Sequence, residues 1–249
     1  MNNLYIRSFR INKDIPENNY LANLPVVKNL KLKGELIFNK PVTFLVGENG
    51  IGKSTIIEAI AVAYGFNPEG GSKNFNFNTC NSHSELFNYL TIVKGCLKPK
   101  SGFFLRAESF YNVASNIDKM DSEPSFGPKI IESYGGVSLH QQSHGQSFLA
   151  LVENRFCNNG IYILDEPEAA LSPQGIMKLI VRINELVKNG CQFIIATHSP
   201  MLMAYPDAEI YEFTEEDIKL VDYKNTMHYS LTRSFLENPE RMLNRLLND

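Results

Sequence analysis

Gly47-Glu48-Asn49-Gly50-Ile51-Gly52-Lys53-Ser54-Thr55 follows the apolar run Val42-Thr43-Phe44-Leu45-Val46. It precedes Ile56, Ile57, Ile60 and Ala61 at helical spacing, with Gly65 where a helix would stop. Strand, glycine-rich loop and helix in that order turn successive backbone N–H groups towards one point at a helix start. There the low side-chain bulk and the helix dipole both favour an anion. The spacing G-x-x-x-x-G-K-[ST] is that of a P-loop, so Lys53 is expected at the β- and γ-phosphates of a nucleotide and the Ser54 hydroxyl at Mg²⁺. All nine residues from Gly47 to Thr55 are candidate nucleotide contacts.

A second segment matches this chemistry. Ile161-Tyr162-Ile163-Leu164-Asp165-Glu166 is an apolar strand ending in two acids, the Walker B pattern. Asp165 at the strand's end would hold Mg²⁺ from its other side. Glu166, next along, would lie beside the γ-phosphate and is the candidate general base for water attack. Together the two motifs favour nucleotide hydrolysis over nucleotide binding alone.

The rest of the chain agrees with an α/β class and a mainly parallel sheet. Leu4–Ile11 and Leu36–Phe38 read as N-terminal strands, Phe103–Leu105 as a further one, and Gly160–Leu164 and Gln192–Ala196 as strands buried on both faces. Gly145–Phe156 reads as a helix. A longer helix is expected after Ser172 as cap and Pro173 as first residue, with Ile176, Leu179, Ile180, Ile183 and Val187 on one stripe. Residues 65–79 are rich in Asn and Gly and read as a surface loop, after which Ser82 and Glu85 suggest a capping box. A helical subdomain is expected at about 109–152 and a C-terminal helical segment at about 226–249, the latter with Met242, Leu243, Leu246 and Leu247 as an apolar face.

The 249 residues allow one large domain or two small ones, and 43% hydrophobic with 20% charged residues excludes collagen-like, coiled-coil and wholly disordered chains. With 24 Lys and Arg against 27 Asp and Glu, nucleic acid could be met only through a local patch. Residues 1–40 carry such an excess, seven basic against three acidic; an ordinary solvated face is the first reading of it and a DNA contact the second. Cys80, Cys96, Cys157 and Cys191 form no C-x-x-C pair, so neither a zinc site nor a redox motif is signalled. The N-terminus lacks the order of a signal peptide and no apolar run approaches a membrane span, so the expected location is cytoplasmic without direct membrane insertion.

Further landmarks resemble the ABC-ATPase superfamily. Gln142-Ser143-His144-Gly145-Gln146 ends 19 residues before Asp165 and resembles the signature LSGGQ at Ser143, Gly145 and Gln146, with two positions altered. Thr197-His198-Ser199 follows a buried strand, with His198 32 residues after Glu166, and is similar to that superfamily's switch histidine, which contacts the γ-phosphate and helps hold the hydrolytic water. Asp165-Glu166-Pro167-Glu168-Ala169-Ala170-Leu171-Ser172-Pro173 resembles the D-E-P-E-x-x-L-x-P segment of the small AAA-type ATPases of the RecF/SMC/OLD-like branch, and Ser8-Phe9-Arg10 on the first strand resembles the opening of SMC-like and RecF-like chains. Transporter subunits usually show Asp where Ser172 stands. The Q-loop is poorly matched: Glu108 is the candidate and Arg106 the alternative. Tyr20 is the only aromatic near the expected adenine-stacking position. His140 and His144, four apart, suggest a metal pair but no third ligand.

The resemblance implies a single ABC-type ATPase domain over residues 1–249 that hydrolyses ATP with Mg²⁺ and pairs head to tail on ATP. Each site would join Lys53, Ser54, Asp165, Glu166 and His198 of one copy to Ser143, His144, Gly145 and Gln146 of the other. Because only 90 residues separate Lys53 from Ser143, there is no room for a coiled-coil arm. The branch wording implies a protein partner in DNA maintenance or mobile-element defence; the nucleotide-binding subunit of a membrane transporter is the alternative.

Overall fold

A computed structural model describes residues 4–72, 84–107, 110–122, 129–134, 136 and 138–248. In chain order the elements are β1 (Ile6–Ile11), α1 (Pro25–Lys33), β2 (Leu36–Ile37), β3 (Val42–Gly47), α2 (Lys53–Tyr64), β4 (Leu90–Lys94), β5 (Ser101–Arg106), α3 (Phe110–Ser122), α4 (His144–Arg155), β6 (Gly160–Asp165), α5 (Pro173–Lys188), β7 (Gln192–Ala196), α6 (Pro200–Met203), β8 (Glu209–Phe213), β9 (Ile218–Val221), α7 (Met227–Glu237) and α8 (Pro239–Asn248). Six strands form one sheet in the order β5-β6-β7-β3-β8-β9, parallel except for β9. The antiparallel sheet β2-β1-β4 lies beside it.

Every residue of β3, β6 and β7 is buried, which is why these strands read as continuous apolar runs. Their alternation divides the interior in two. Leu45, Ile161, Ile163, Ile194 and Ala196 join Ile56, Ile57 and Ile60 of α2 in one core. Val42, Phe44, Val46, Tyr162, Leu164, Phe193 and Ile195 join Phe148 and Leu151 of α4 and Leu179 and Ile183 of α5 in the other. The helix that follows the P-loop and the helix that follows Ser143 therefore cover opposite faces of the sheet.

Local signals act as expected at α5, where the Ser172 hydroxyl accepts from Gly175 N–H at 3.2 Å and Pro173 takes the first position. Gly65 ends α2 in the left-handed conformation, φ 107°. Two expectations are corrected. Residues 65–72 are not a surface loop: Phe66 and Glu69 are buried, and Gly71 bridges Phe104 on β5. The cap before the short 3-10 turn Glu85–Tyr89 is Ser84, whose hydroxyl accepts from Leu86 N–H; Ser82 and Cys80 lie outside the described residues. α1, β4, β8 and β9 go beyond the pattern-based reading. The apolar face of α8 does not pack on the core: Leu246 is 71% and Leu247 77% exposed.

One side chain ties the two sheets together. Gln192, buried at the start of β7, accepts from the backbone N–H groups of Tyr5 and Ile6 at 2.8 and 2.9 Å and donates to Ile6 O at 2.8 Å. Gln192→Ala would strand three buried backbone groups. Urea denaturation should show a loss of about 3 kcal/mol or more, and a loss well under 1 kcal/mol would contradict this role.

Candidate nucleotide site

Parallel register brings three loops to one edge of the sheet. Ala196, the last residue of β7, stands opposite Leu45 of β3 and Asp165 of β6. Just beyond, Glu166 N–H donates to Ala196 O at 3.0 Å and Thr197 N–H donates to Leu45 O at 3.2 Å. The P-loop, the Asp165-Glu166 pair and His198 thus leave neighbouring strand ends at the carboxyl edge, where open α/β sheets place their ligands.

Two glycines of the loop are dictated by their surroundings. A Cβ on Gly47 would lie 2.4 Å from Phe213 O on β8. Gly52 has φ 102°, and a Cβ there would lie 2.5 Å from Val26 Cγ1 on α1. α1 also holds the loop through Val26 N–H to Ile51 O at 3.3 Å. Lys53 is buried at the start of α2, its Nζ donating to Gly47 O and Glu48 O at 2.8 Å each. Burial lowers its pKa, opposed by the charges of Glu166, Asp165, Glu168 and Glu48.

Ser54 Oγ donates to Asp165 Oδ1 at 3.3 Å. These are two hard oxygen donors on adjacent element ends, a set that suits Mg²⁺, which commonly takes one or two protein ligands and completes its shell with phosphate oxygens and water. Among the described residues no cluster of three or more His, Cys, Asp or Glu is arranged to hold a metal by itself. Arg106, at the end of β5, pairs with Glu58 of α2 at 2.5 Å and lies with Nε 3.5 Å from Asp165 Oδ2. The Q-loop alternative is thus a cation at the acidic strand end; Glu108 lies outside the described residues.

Glu166 adopts left-handed backbone, φ 50° and ψ 52°, a conformation a non-glycine residue adopts only when its surroundings impose it. Its Oε1 is 3.4 Å from His198 Nε2. Two partners of His198 were not anticipated. Glu168, largely buried, accepts from His198 N–H at 2.5 Å; its burial raises its pKa. His228 on α7 meets the other ring nitrogen, with His198 Nδ1 and His228 Nε2 2.9 Å apart. Glu168 falls inside the acidic segment singled out in the sequence, but nothing in the spacing of His228 points to His198.

The signature residues form a separate feature. Ser143 caps α4, which starts at His144, one residue earlier than expected, and a reciprocal pair joins Ser143 and Gln146. Ser143, His144 and Gln146 are exposed and Gly145 is half-buried. Ser143, Gly145 and Gln146, with Ala170, Leu171 and Ser172, line a groove of about 320 Å³. His140 Nε2 lies 3.1 Å from Ser115 Oγ, and His140 and His144 belong to no metal cluster among the described residues. Tyr20 is 60% exposed.

By strand order and loop placement the chain is a P-loop nucleoside triphosphatase fold. A family profile described as "AAA domain" matches residues 28–120, and one described as "AAA domain, putative AbiEii toxin, Type IV TA system" matches residues 130–204. The galactose/methyl galactoside import ATP-binding protein MglA of Pasteurella multocida is 26% identical over 199 residues, 72% of this chain and 38% of that protein. The ribose import ATP-binding protein RbsA of Bacillus cereus is 26% identical over 189 residues, 70% of this chain and 37% of that protein. The chain thus spans little more than a third of the length of these curated relatives. Among solved structures, cbiO1 of Clostridium perfringens overlaps with TM-score 0.48 at 17% identity, covering 99% of this chain and all of that one, an overlap too loose to argue from. Over residues 28–120 and 130–204 the chain is similar to AAA domains, and over most of its length to import ATP-binding proteins. Among the described residues no helix is long and apolar enough to cross a membrane.

Burial and the Lys53 charge lower the pKa of both His198 and His228; Glu166 opposes this at His198, and Glu212 and Glu48 oppose it at His228. As pH falls below the ordinary histidine value of 6.5, the unfolded chain takes up protons that the folded chain refuses. Stability present above that pH should therefore decline on acidification through the lowered values. The thermal midpoint should drop between about pH 7.5 and about pH 5.5, with a smaller drop in His228→Gln. Equal drops in both proteins would contradict this.

Proposed function

We propose that the chain works as one ATPase head, binding ATP with Mg²⁺ and hydrolysing it at composite sites formed by two copies arranged head to tail. The observation that carries this reading is the placement of the two phosphate-directed features. α2 belongs to one core of the sheet and α4 to the other, and Ser143, at the start of α4, is exposed, which supports its being offered to another copy. Lys53 and the loop N–H groups bind the phosphates; Ser54 and Asp165 hold Mg²⁺, which when bound neutralises charge on the β- and γ-phosphate oxygens. Glu166 takes the proton of the attacking water, and His198, 3.4 Å from it, orients that water and the γ-phosphate. Ser143, His144, Gly145 and Gln146 of the second copy complete the site. Arg106 offsets the charge of Asp165 before Mg²⁺ binds, the position where a Q-loop residue would reach.

The cycle powers or licenses a protein partner in DNA maintenance or mobile-element defence. The D-E-P-E segment, Ser172 in place of Asp and the toxin–antitoxin profile over residues 130–204 support this branch. The basic residues of 1–40 are exposed, but Lys33 is already committed, donating to Ile218 O at 2.8 Å. A transporter's nucleotide-binding subunit is the second reading, favoured by the sugar-import names of the curated relatives; copurification of a permease would select it.

Glu166→Gln should lower turnover roughly 100-fold or more while ATP still binds, and light scattering should show dimer accumulating in ATP. Normal turnover in this variant would remove Glu166 as the base. Ser143→Arg should bind ATP as a monomer and form no dimer; a dimer that persists would exclude the head-to-tail arrangement.

A further inference from the structure

His228 stands in the first turn of α7, a helix that buries none of its residues fully. The start of that helix is nonetheless pinned. Thr226 is fully buried, its hydroxyl donating to Tyr223 O at 2.8 Å and accepting from Tyr229 N–H at 3.3 Å. Met227 N–H donates to Glu212 Oε1 of β8 at 2.9 Å. These contacts hold the His228 ring against His198, with ring centroids 5.0 Å apart and nitrogens 2.9 Å apart.

Two neutral imidazoles joined by one N–H···N bond hold a single proton between them, and its owner sets the state of the far nitrogen on each ring. If His198 Nδ1 were the donor, its Nε2 would turn a lone pair towards Glu166 Oε1, 3.4 Å away. If His228 Nε2 is the donor, His198 Nε2 carries a proton and faces the carboxylate with a donor. The second arrangement removes the repulsion. It leaves His228 Nδ1 as a bare acceptor, and that atom is buried without a hydrogen-bond partner among the described residues.

We infer that His228 is a positioning residue for His198: its Nε2–H donates to His198 Nδ1, fixes the ring and keeps the His198 proton on Nε2, directed at Glu166. The inference rests on the proposed hydrolytic role of His198. It ties the C-terminal helical pair to the reaction, because a displacement of α7 would withdraw the donor and leave the His198 ring free to rotate and change tautomer.

The direct test is the ¹⁵N spectrum of the nucleotide-free wild-type chain at a pH where both rings are neutral. A through-hydrogen-bond coupling should link His198 Nδ1 and His228 Nε2, with the proton attached to His228 Nε2. No coupling, or a proton attached to His198 Nδ1, overturns the inference. In kinetics, His228→Leu should lower kcat roughly 10- to 100-fold with KM for ATP and ATP affinity unchanged, and His228→Gln, whose amide N–H can reach the same nitrogen, should recover most of the loss. Wild-type kcat in His228→Leu, or equal losses in both variants, would also overturn it. A wild-type chain that binds ATP without turning it over would sink the hydrolytic reading instead, while the coupling still decides the histidine pair.

Discussion

Two backbone hydrogen bonds at the end of β7, Glu166 N–H to Ala196 O and Thr197 N–H to Leu45 O, hold the chemistry of this chain together. They extend the parallel register one step past the strands, so that the P-loop, the acidic pair and His198 leave the sheet side by side. Because β3, β6 and β7 are buried on both faces, sliding any of them by one residue would turn Val, Ile and Phe side chains to the wrong core. The hydrophobic division of the sheet therefore fixes the site's geometry before any charged residue contributes.

Charge then makes the site responsive. Lys53 is buried among carbonyls and four acids, Asp165 is met by Ser54 and Arg106, and Glu166 is held in left-handed backbone beside His198. His198 Nε2 is buried without a hydrogen-bond partner among the described residues. A phosphate group with its metal would complement the cation, the hydroxyl–carboxylate pair and this donor together. Glu168 and His228 fix His198 from its backbone and from its far ring nitrogen, so two elements distant in sequence set the aim of one side chain.

What could be read from the sequence follows the same physics. The P-loop, Asp165-Glu166, the Ser172 cap and strands β3, β6 and β7 were legible because backbone demands and complete burial leave strong residue patterns. β8 was not, since Glu209 and Glu212 interrupt its apolar run; Glu209 is buried as an acceptor for Asn39 N–H, Lys40 N–H and the Thr43 hydroxyl. β4 lies with most of its residues partly or fully exposed, and α1 begins at Leu24-Pro25 without a side-chain cap. His228 carries no local signal at all, because its meaning comes from a ring 30 residues away in the chain. Arg106 signals no more than a Q-loop alternative in the sequence, because its pairing with Glu58 depends on a strand and a helix far apart in the chain.

The central claim is that one carboxyl edge of the sheet supplies most of an ATP site and a second copy supplies the rest. A crystal structure of the Glu166→Gln chain grown with ATP and Mg²⁺ tests it most directly. The account predicts two copies with each nucleotide's phosphates enclosed by Lys53, Ser54 and Asp165 of one and by Ser143 and Gly145 of the other. Nucleotide bound elsewhere on the chain, or at the P-loop with Ser143 of every copy far from any phosphate, would contradict it.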